Sequence, residues 1–198
     1  VIIPIVCLYL LQCLLVPKYA SDIKEGAMIK EYYNSEKNHD VLILGDCEVY
    51  ENISTVTMWE NYGISSYIRG SAEQLIWQSY YLLEDTLKYE KPQVVIVNVL
   101  AMTESDAKNE AYNRMTLDGM ELSKYKIASI KESMTEEENM TSYIFPLLRY
   151  HSRWSELSSE DFRYMWKTPS VTTNGYLMQK GVRPVKTIPK AAPLANYT

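Results

Sequence analysis

The run from Val41 to Leu44 constrains the fold of this chain more than any other stretch. It consists of apolar residues only, and Gly45, Asp46 and Cys47 follow it at once. A short apolar run that ends at Gly predicts a buried parallel strand followed by a sharp turn. Ligands of open α/β sheets bind just beyond the carboxyl ends of the strands. We therefore expect Cys47 to lie at the mouth of a site.

Two further stretches, Ile64 to Ile68 and the apolar Val94 to Val99, indicate two more short strands. Residues 55–62 and 72–89 lie between the strands and have helical character, the second with apolar residues at helical spacing. Alternating strands and helices predict an α/β fold with a doubly wound parallel sheet. In the flavodoxin-like strand order 2-1-3, the run from Val41 to Leu44 lies in the middle. Such a sheet has about five strands, so we expect the sheet to be incomplete in this chain.

The N-terminal region is strongly apolar. The stretch VIIPIVCLYLLQCLLV carries no charge, and Pro17 and Lys18 end it. It is slightly shorter than the roughly 20 residues of a membrane-spanning helix. A buried core helix and a cleaved signal peptide are alternatives, although no small-residue cleavage site follows the run. We predict a transmembrane signal anchor over residues 1–17, and hence a membrane-anchored, extracytoplasmic protein.

Composition along the chain predicts the other boundaries. Residues 18–40 are polar and helix-compatible, which indicates a connecting helix or linker. Residues 41–168 contain the predicted strands and helices and form the N-terminal part of an α/β domain. In residues 169–198, Gly, Pro and polar residues dominate, which is typical of an irregular tail.

Charge and cysteine content exclude several classes of function. The net charge is −5 and no basic stripe is present, so we expect no nucleic-acid partner. Three cysteines do not make a disulfide framework. No cysteine or histidine spacing suggests a metal site, and the chain has no Walker loop and no GxGxxG motif. We therefore expect no metal and no cofactor, and we discount an electron-transfer domain of the flavodoxin type.

The turn after the first strand resembles a known catalytic motif. Gly45-Asp46-Cys47 is similar to the Gly-Asp-Ser block of SGNH (GDSL) hydrolases, with Cys47 in the position of the nucleophilic Ser. The resemblance implies an oxyanion hole to which Gly70 contributes its N–H group. It implies the same role for Asn98, although the usual Gly-x-Asn-Asp motif is not present. The implied activity is that of an ester hydrolase or O-acyltransferase with Cys47 as nucleophile.

The catalytic histidine of that family has no counterpart here. The chain lacks the Asp-x-x-His block, and its only histidines are His39 and His151. His39 precedes the first strand, so it belongs to the end of the sheet opposite Cys47. We expect a fragment that ends before strands four and five and that does not turn over substrate by itself.

One branch of the family is the most similar. Glu48 after the Cys, together with the apolar N-terminus, resembles anchored envelope proteins of Gram-positive bacteria, including clostridia. This resemblance implies a glycan or other acyl-ester substrate and a membrane O-acyltransferase partner. Nearby carboxylates disfavour a thiolate, so Asp46 and Glu48 leave open a second class of function. In that class the site is degenerate, and the protein is a binding or scaffold subunit of an envelope polysaccharide acylation system.

Asp46 and Glu48, beside the thiol, are candidates for substrate binding, and so are three further residues. Arg114 and Asp118 lie in a polar stretch after the third strand, where a loop would overhang the site and Arg114 would clamp an anionic group. The alternative for this stretch is a surface turn with an Arg–Asp pair. His151 lies in a stretch with Arg149, Arg153 and Trp154 that could face a sugar. The alternative there is a helix that packs Trp154 and exposes its charges.

Overall fold

The sheet has three parallel strands, and the chain is an α/β protein. The computed structural model describes residues 2–103 and 109–178. Strand β1 spans Val41–Gly45, β2 spans Ser66–Gly70 and β3 spans Val94–Val97. Their order is β2-β1-β3, and both pairs are parallel. The predicted strands and the central place of the first strand are confirmed.

Both faces of the central strand are buried. All five residues of β1 are buried, and successive side chains point to opposite faces. Leu42 and Leu44 join a cluster with Leu82, while Val41 and Ile43 join a second cluster on the other face. Apolar burial on both faces explains why β1 is a continuous apolar run rather than an alternating one.

Strand β3 forms an edge of the sheet. Among the described residues, no strand pairs with its outer side. Its side chains are partly exposed on both faces, with 51% exposure for Val94, 38% for Val95 and 39% for Ile96. The β2 edge differs, because the Ile68 N–H donates to the Asn174 carbonyl at 3.0 Å.

The helices between the strands begin and end at capping residues. Two helices precede β1 in the chain, α1 (Ile2–Leu15) and α2 (Glu25–Glu31). After β1 come α3 (Cys47–Asn52) and α4 (Thr55–Tyr62), and β2 leads to α5 (Ile76–Thr86). Ser54 caps α4, because its side chain accepts from the Thr57 N–H. Helix α5 is shorter than the predicted 72–89, because Glu73 has a φ of +53° that no α-helix contains.

The part of the chain after β3 is mostly helical. It contains the α-helices α6 (Glu110–Leu117), α7 (Lys124–Ser133), α8 (Met140–Ile144), α9 (Leu147–Tyr150) and α10 (Ser159–Arg163), with 3₁₀ helices at Val99–Thr103 and His151–Ser155. Ser123 caps α7, because its side chain accepts from the Lys126 N–H. Helix α6 occupies a stretch that the sequence analysis interpreted as a loop.

The predicted membrane anchor is wrong. Helix α1 has 14 residues, which at 1.5 Å per residue gives about 21 Å, against a hydrocarbon core of about 30 Å. Across residues 2–103 and 109–178, no helix combines the length and the hydrophobicity that crossing a bilayer requires. The prediction of a transmembrane anchor over residues 1–17 is therefore corrected, and so is the membrane-anchored, extracytoplasmic location inferred from it.

The segment over residues 18–40 packs into the core. In α2, Met28 is 1% exposed and Ile29 is fully buried, and the two side chains join the clusters on opposite faces of the sheet. Tyr32, in a 3₁₀ helix over Tyr32–Asn34, is also fully buried. The beginning of the predicted tail packs as well, because Leu177 is buried and its N–H donates to the Tyr50 carbonyl at 3.2 Å. Residues 179–198 lie outside the described part.

Candidate functional site at the carboxyl edge of the sheet

The carboxyl ends of the three strands bring Gly45, Gly70 and Asn98 together. Gly45 lies opposite Gly70 in the β1–β2 register. Leu44 lies opposite Val97, and the N–H of Asn98 donates to the Leu44 carbonyl at 2.9 Å. The approach of these segments is close, since a Cβ atom placed on Gly45 would lie 2.6 Å from Asn98 Cβ. The resemblance to SGNH hydrolases implied that Gly70 and Asn98 lie near the turn after β1.

Asp46 holds the turn that presents Cys47. Its carboxylate caps α3 by accepting from the Glu48 N–H at 3.0 Å. The same oxygen accepts from Asn98 Nδ2 at 2.8 Å. The side-chain oxygen of Asn98 in turn accepts from the Leu100 N–H at 2.9 Å. These bonds fix the amide of Asn98, and one of its two amide hydrogens points away from Asp46 and is free of that bond.

Cys47 is the first residue of α3 and is half-buried. Its thiol is in no disulfide. Burial raises the pKa of the Cys47 thiol, and the carboxylates of Asp46, Glu51 and Glu48 raise it further. The start of a helix favours a thiolate, but α3 has only six residues. The acidic surroundings outweigh that effect, so the side chain is a neutral thiol at neutral pH.

Gly70 is the last residue of β2 and lies under the turn after β1. A Cβ atom at this position would lie 2.9 Å from the Gly45 carbonyl oxygen and 3.0 Å from Tyr50 Cδ1. The neighbouring N–H of Ser71 donates to the same carbonyl at 3.3 Å. Only a residue without a side chain lets the two turns approach this closely.

Glu48 points away from this contact region. It is exposed, and its carboxylate accepts from Asn52 Nδ2 at 3.0 Å, one turn further along α3. Its charge acts on the site through its effect on the Cys47 pKa rather than through a bond to the turn.

The structure does not place either histidine beside the thiol. His39 is buried at the amino end of the sheet, where its Nδ1 lies 2.9 Å from a carboxylate oxygen of Glu90. His151 is exposed in the 3₁₀ helix over His151–Ser155, and its Nδ1 lies 2.9 Å from the Leu148 carbonyl. That 3₁₀ helix packs mainly against α1 and α9.

Arg114 and Asp118 belong to the packing between helices. Arg114 is 3% exposed, and all three guanidinium nitrogens donate. Its partners are Glu110 at 2.8 Å, Asp118 at 3.0 Å and Ser142 at 2.8 Å. Asp118 also accepts from the Tyr150 hydroxyl at 2.8 Å. With its donors engaged, Arg114 ties α6 to α8 rather than clamping a substrate at the sheet edge.

A buried polar network behind Gly70 was not apparent from the sequence. The hydroxyl of Ser71 contacts that of Thr116 in α6. Thr116 donates to Gln78 at 3.2 Å, and Gln78 donates to Ser133 in α7 at 3.1 Å. The partners are far apart in the chain, so no local pattern signals them. The network fixes the turn after β2 and thereby the position of Gly70.

These residues define a parallel α/β protein with a candidate site where the three strands end. Within the described ranges, no group of three or more Cys, His, Asp or Glu residues could hold a metal ion. No protein-family model, no curated protein and no solved structure matches the chain. The resemblance to SGNH hydrolases, and the hydrolase identity it implies, therefore rest on the residues of this chain alone.

Proposed function

We propose that the turn after β1 is an SGNH-like site for acyl-ester chemistry, on a sheet of the flavodoxin-like, doubly wound type. One observation carries the proposal. Cys47 comes after β1, Gly70 ends β2 and Asn98 follows β3, so all three lie at one edge of the sheet, with Asn98 bonded to the Asp46 carboxylate at 2.8 Å. The strand order β2-β1-β3 and the burial of β1 on both faces support the fold type.

The proposed chemistry begins with attack of the Cys47 sulfur on an ester carbonyl. The thiol proton passes to water, the C–O bond breaks, and the leaving oxygen takes a proton from water to leave as the alcohol, so that a thioester remains on Cys47. N–H donors near Gly70 and the free amide hydrogen of Asn98 would stabilise the oxyanion, and the loss of one such donor typically lowers the rate by about 10²–10³-fold.

The second half of the reaction needs a group that the two histidines do not supply. Release of the acyl group to water or to an acceptor hydroxyl requires a base beside the thioester. His39 is bonded to Glu90 at the other end of the sheet, and His151 lies near α1 and α9. We therefore propose that this chain takes up one acyl group and does not turn over. The proposed substrate is an O-acyl ester, such as a glycan ester. The membrane O-acyltransferase partner stays a prediction from the resemblance.

A degenerate binding site is the second candidate. The observation that favours it is the raised pKa of the Cys47 thiol, caused by burial and by the carboxylates of Asp46, Glu51 and Glu48. A thiol that is protonated at neutral pH attacks esters slowly. In this function the turn binds an acylated glycan as part of a larger acylation system and leaves the ester intact.

The two functions differ in whether Cys47 becomes acylated. We would incubate a variant with Cys7→Ser and Cys13→Ser with p-nitrophenyl acetate and follow both nitrophenol release and intact mass. The acyl-transfer proposal expects one acetyl group per chain on Cys47 and a burst without turnover. The matched Cys47→Ala variant should show neither. Asn98→Ala should slow the burst by roughly 10²-fold if the amide stabilises the oxyanion.

Two results would overturn the proposal. Acylation of Cys47 no faster than that of a peptide thiol, and unchanged by Asn98→Ala, would leave only the binding function. Catalytic turnover that disappears with His151→Ala would show that His151 is the base and that the assignment of a missing histidine is wrong.

A further inference from the structure

A cavity lies away from the carboxyl edge of the sheet. It has a volume of about 620 Å³ and lies between the end of α1, α2, the segment after α6, and residues 164–169. None of its lining residues belongs to the turn over 45–48. Small-molecule sites in proteins typically have volumes of about 300–1,000 Å³, so the cavity is large enough for a metabolite.

Four lysines line this cavity. Lys167 follows α10, and the other three are Lys18 after α1, Lys30 in α2 and Lys126 in α7. Their charges interact, because Lys30 lowers the pKa of both Lys18 and Lys126, although in each case burial is the larger cause. The pKa of Lys18 falls to about 8.

Lys126 is the most unusual of the three. It is 6% exposed, and its ammonium group donates to the Met120 carbonyl at 2.9 Å. An ammonium group has three donors, and burying it without an anionic partner is unfavourable. Lys18 is better satisfied, with bonds to the carbonyls of Cys13 at 2.5 Å and Val16 at 2.7 Å. Among the described residues, no carboxylate bonds either ammonium group, although the charge of Asp161 raises the pKa of Lys18 and that of Asp118 raises the pKa of Lys126.

The acidic residues of the lining have other partners. Asp118 pairs with Arg114 at 3.0 Å, and Glu121 accepts from the Tyr89 hydroxyl at 3.2 Å. Within the part of the chain that the structure describes, no ion pair includes Lys18, Lys30 or Lys126. The described lining therefore holds four lysines and only two carboxylates, Asp118 and Glu121, so its net charge is positive.

We propose that this cavity binds a small organic phosphate, with the phosphate group held by the ammonium groups of Lys18, Lys30 and Lys126. A phosphate monoester with a charge of about −1.5 to −2 matches three convergent cations better than a single carboxylate does. The other lining residues include aromatic side chains on which an organic group can pack, among them Tyr9, Tyr164 and Trp166. This site is independent of the acyl-ester site proposed at Cys47.

The test is isothermal titration of the protein with glucose 6-phosphate, inorganic phosphate and glucose at constant ionic strength. The variants are Lys30→Gln, which changes an exposed side chain, and Lys126→Met, whose fold is checked by circular dichroism. Lys131→Gln is the matched control, because Lys131 is an exposed residue of the same helix as Lys126 and does not line the cavity. Each cavity variant should weaken sugar-phosphate binding about tenfold or more, as expected for the loss of a charged hydrogen-bond donor. The control should stay within about twofold.

Three outcomes would overturn the proposal. The first is that the wild-type protein binds neither phosphate compound. The second is that Lys131→Gln weakens binding as much as Lys30→Gln, which would indicate a general effect of surface charge. The third is that inorganic phosphate binds as tightly as glucose 6-phosphate, which would show that the aromatic lining adds nothing and that the ligand is phosphate itself.

Discussion

Replacement of Gly45 by Ala tests whether the close approach of β1 and Asn98 holds the candidate site together. A Cβ atom at Gly45 would lie 2.6 Å from Asn98 Cβ and 3.1 Å from Val49 Cγ1. Crowding of this kind in a packed region destabilises by about 1–3 kcal/mol. Gly45 also has a φ of +153°, and backbone strain at such a position adds about 1–3 kcal/mol.

The two effects together predict that Gly45→Ala lowers the free energy of unfolding by about 2–6 kcal/mol. For a chain of this size, 1 kcal/mol shifts Tm by about 2–4 °C, so a central loss of about 4 kcal/mol lowers Tm by roughly 8–16 °C. The measurement is thermal unfolding followed by far-UV circular dichroism, with urea unfolding to check the free energy.

Gly63→Ala is the matched control. Gly63 has a φ of +65°, but a Cβ atom there would meet nothing within 4 Å. Only the left-handed strain applies, at about 1–2 kcal/mol. The contact itself is isolated by Gly45→Ala in an Asn98→Gly background, where the opposing Cβ is gone and most of the crowding should disappear. If Gly45→Ala is no more destabilising than Gly63→Ala, or if Asn98→Gly gives no relief, the reasoning from the close approach is refuted.

Three further predictions concern charged and titrating groups. Cys47 should react with iodoacetamide more slowly at neutral pH than an unperturbed thiol, because burial and three carboxylates raise its pKa. The rate of alkylation is measured by mass spectrometry over a pH series. A rate that is already maximal at neutral pH would contradict this prediction. Burial raises the pKa of Glu90, but hydrogen bonds, first of all from His39, outweigh burial and hold it below 4.5. Glu90→Gln should therefore lower the free energy of unfolding by about 1.5–3 kcal/mol at neutral pH. Because the folded pKa of Glu90 is depressed, this difference should shrink as the pH falls below about 4.5. If urea unfolding shows the same difference in the free energy of unfolding between the two proteins at all these pH values, the linkage is refuted. Arg114→Met leaves Asp118 buried without its cation and should cost about 3–5 kcal/mol in urea unfolding, with partial recovery when Asp118→Asn is added; a loss below about 1 kcal/mol would mean that the pair behaves like a surface salt bridge.

The order and direction of the strands could be predicted from the sequence because β1 and β3 are short apolar runs. The bounds were less accurate, since the strand predicted over Ile64 to Ile68 spans Ser66–Gly70 and the one predicted over Val94 to Val99 ends at Val97. Parallel strands place the residues at their carboxyl ends at one edge of the sheet. The choice of Gly70 and Asn98 at that edge came from the resemblance to SGNH hydrolases and not from the strand pattern.

The helix α6 could not be predicted in this way, because its buried side is polar. Asn113, Arg114 and Thr116 are buried there and bond to other helices rather than forming an apolar stripe. An apolar stripe at helical spacing is the main signal of a helix in a sequence, and three of the four buried residues of α6 are polar. For the same reason the loop expected to overhang the site proved to be a helix that packs Arg114 inside.

A connecting helix or linker was predicted over residues 18–40, but the burial of α2 in the core was not. Met28 and Ile29 are neighbours in the chain, but they pack into clusters on opposite faces of the sheet. A helix that packs into clusters on two faces of a sheet has no single apolar face. The sequence of residues 18–40 therefore looks like that of a polar connecting segment. At the site, the bond from Asn98 to Asp46 joins residues 52 positions apart and likewise has no local signature.

The outer side of β3 has a consequence for how the protein behaves at high concentration. An edge strand presents unpaired N–H and C=O groups, and natural proteins usually protect such an edge with charges, bulges or a covering segment. In the described part of the chain, the β2 edge has such a cover in the segment around Asn174, whereas β3 offers Val94, Val95 and Ile96 with no charge among them. Segments of this composition nucleate intermolecular β-structure. The edge of β3 is therefore the place where self-association should begin, and a single Lys at Val95 should delay it.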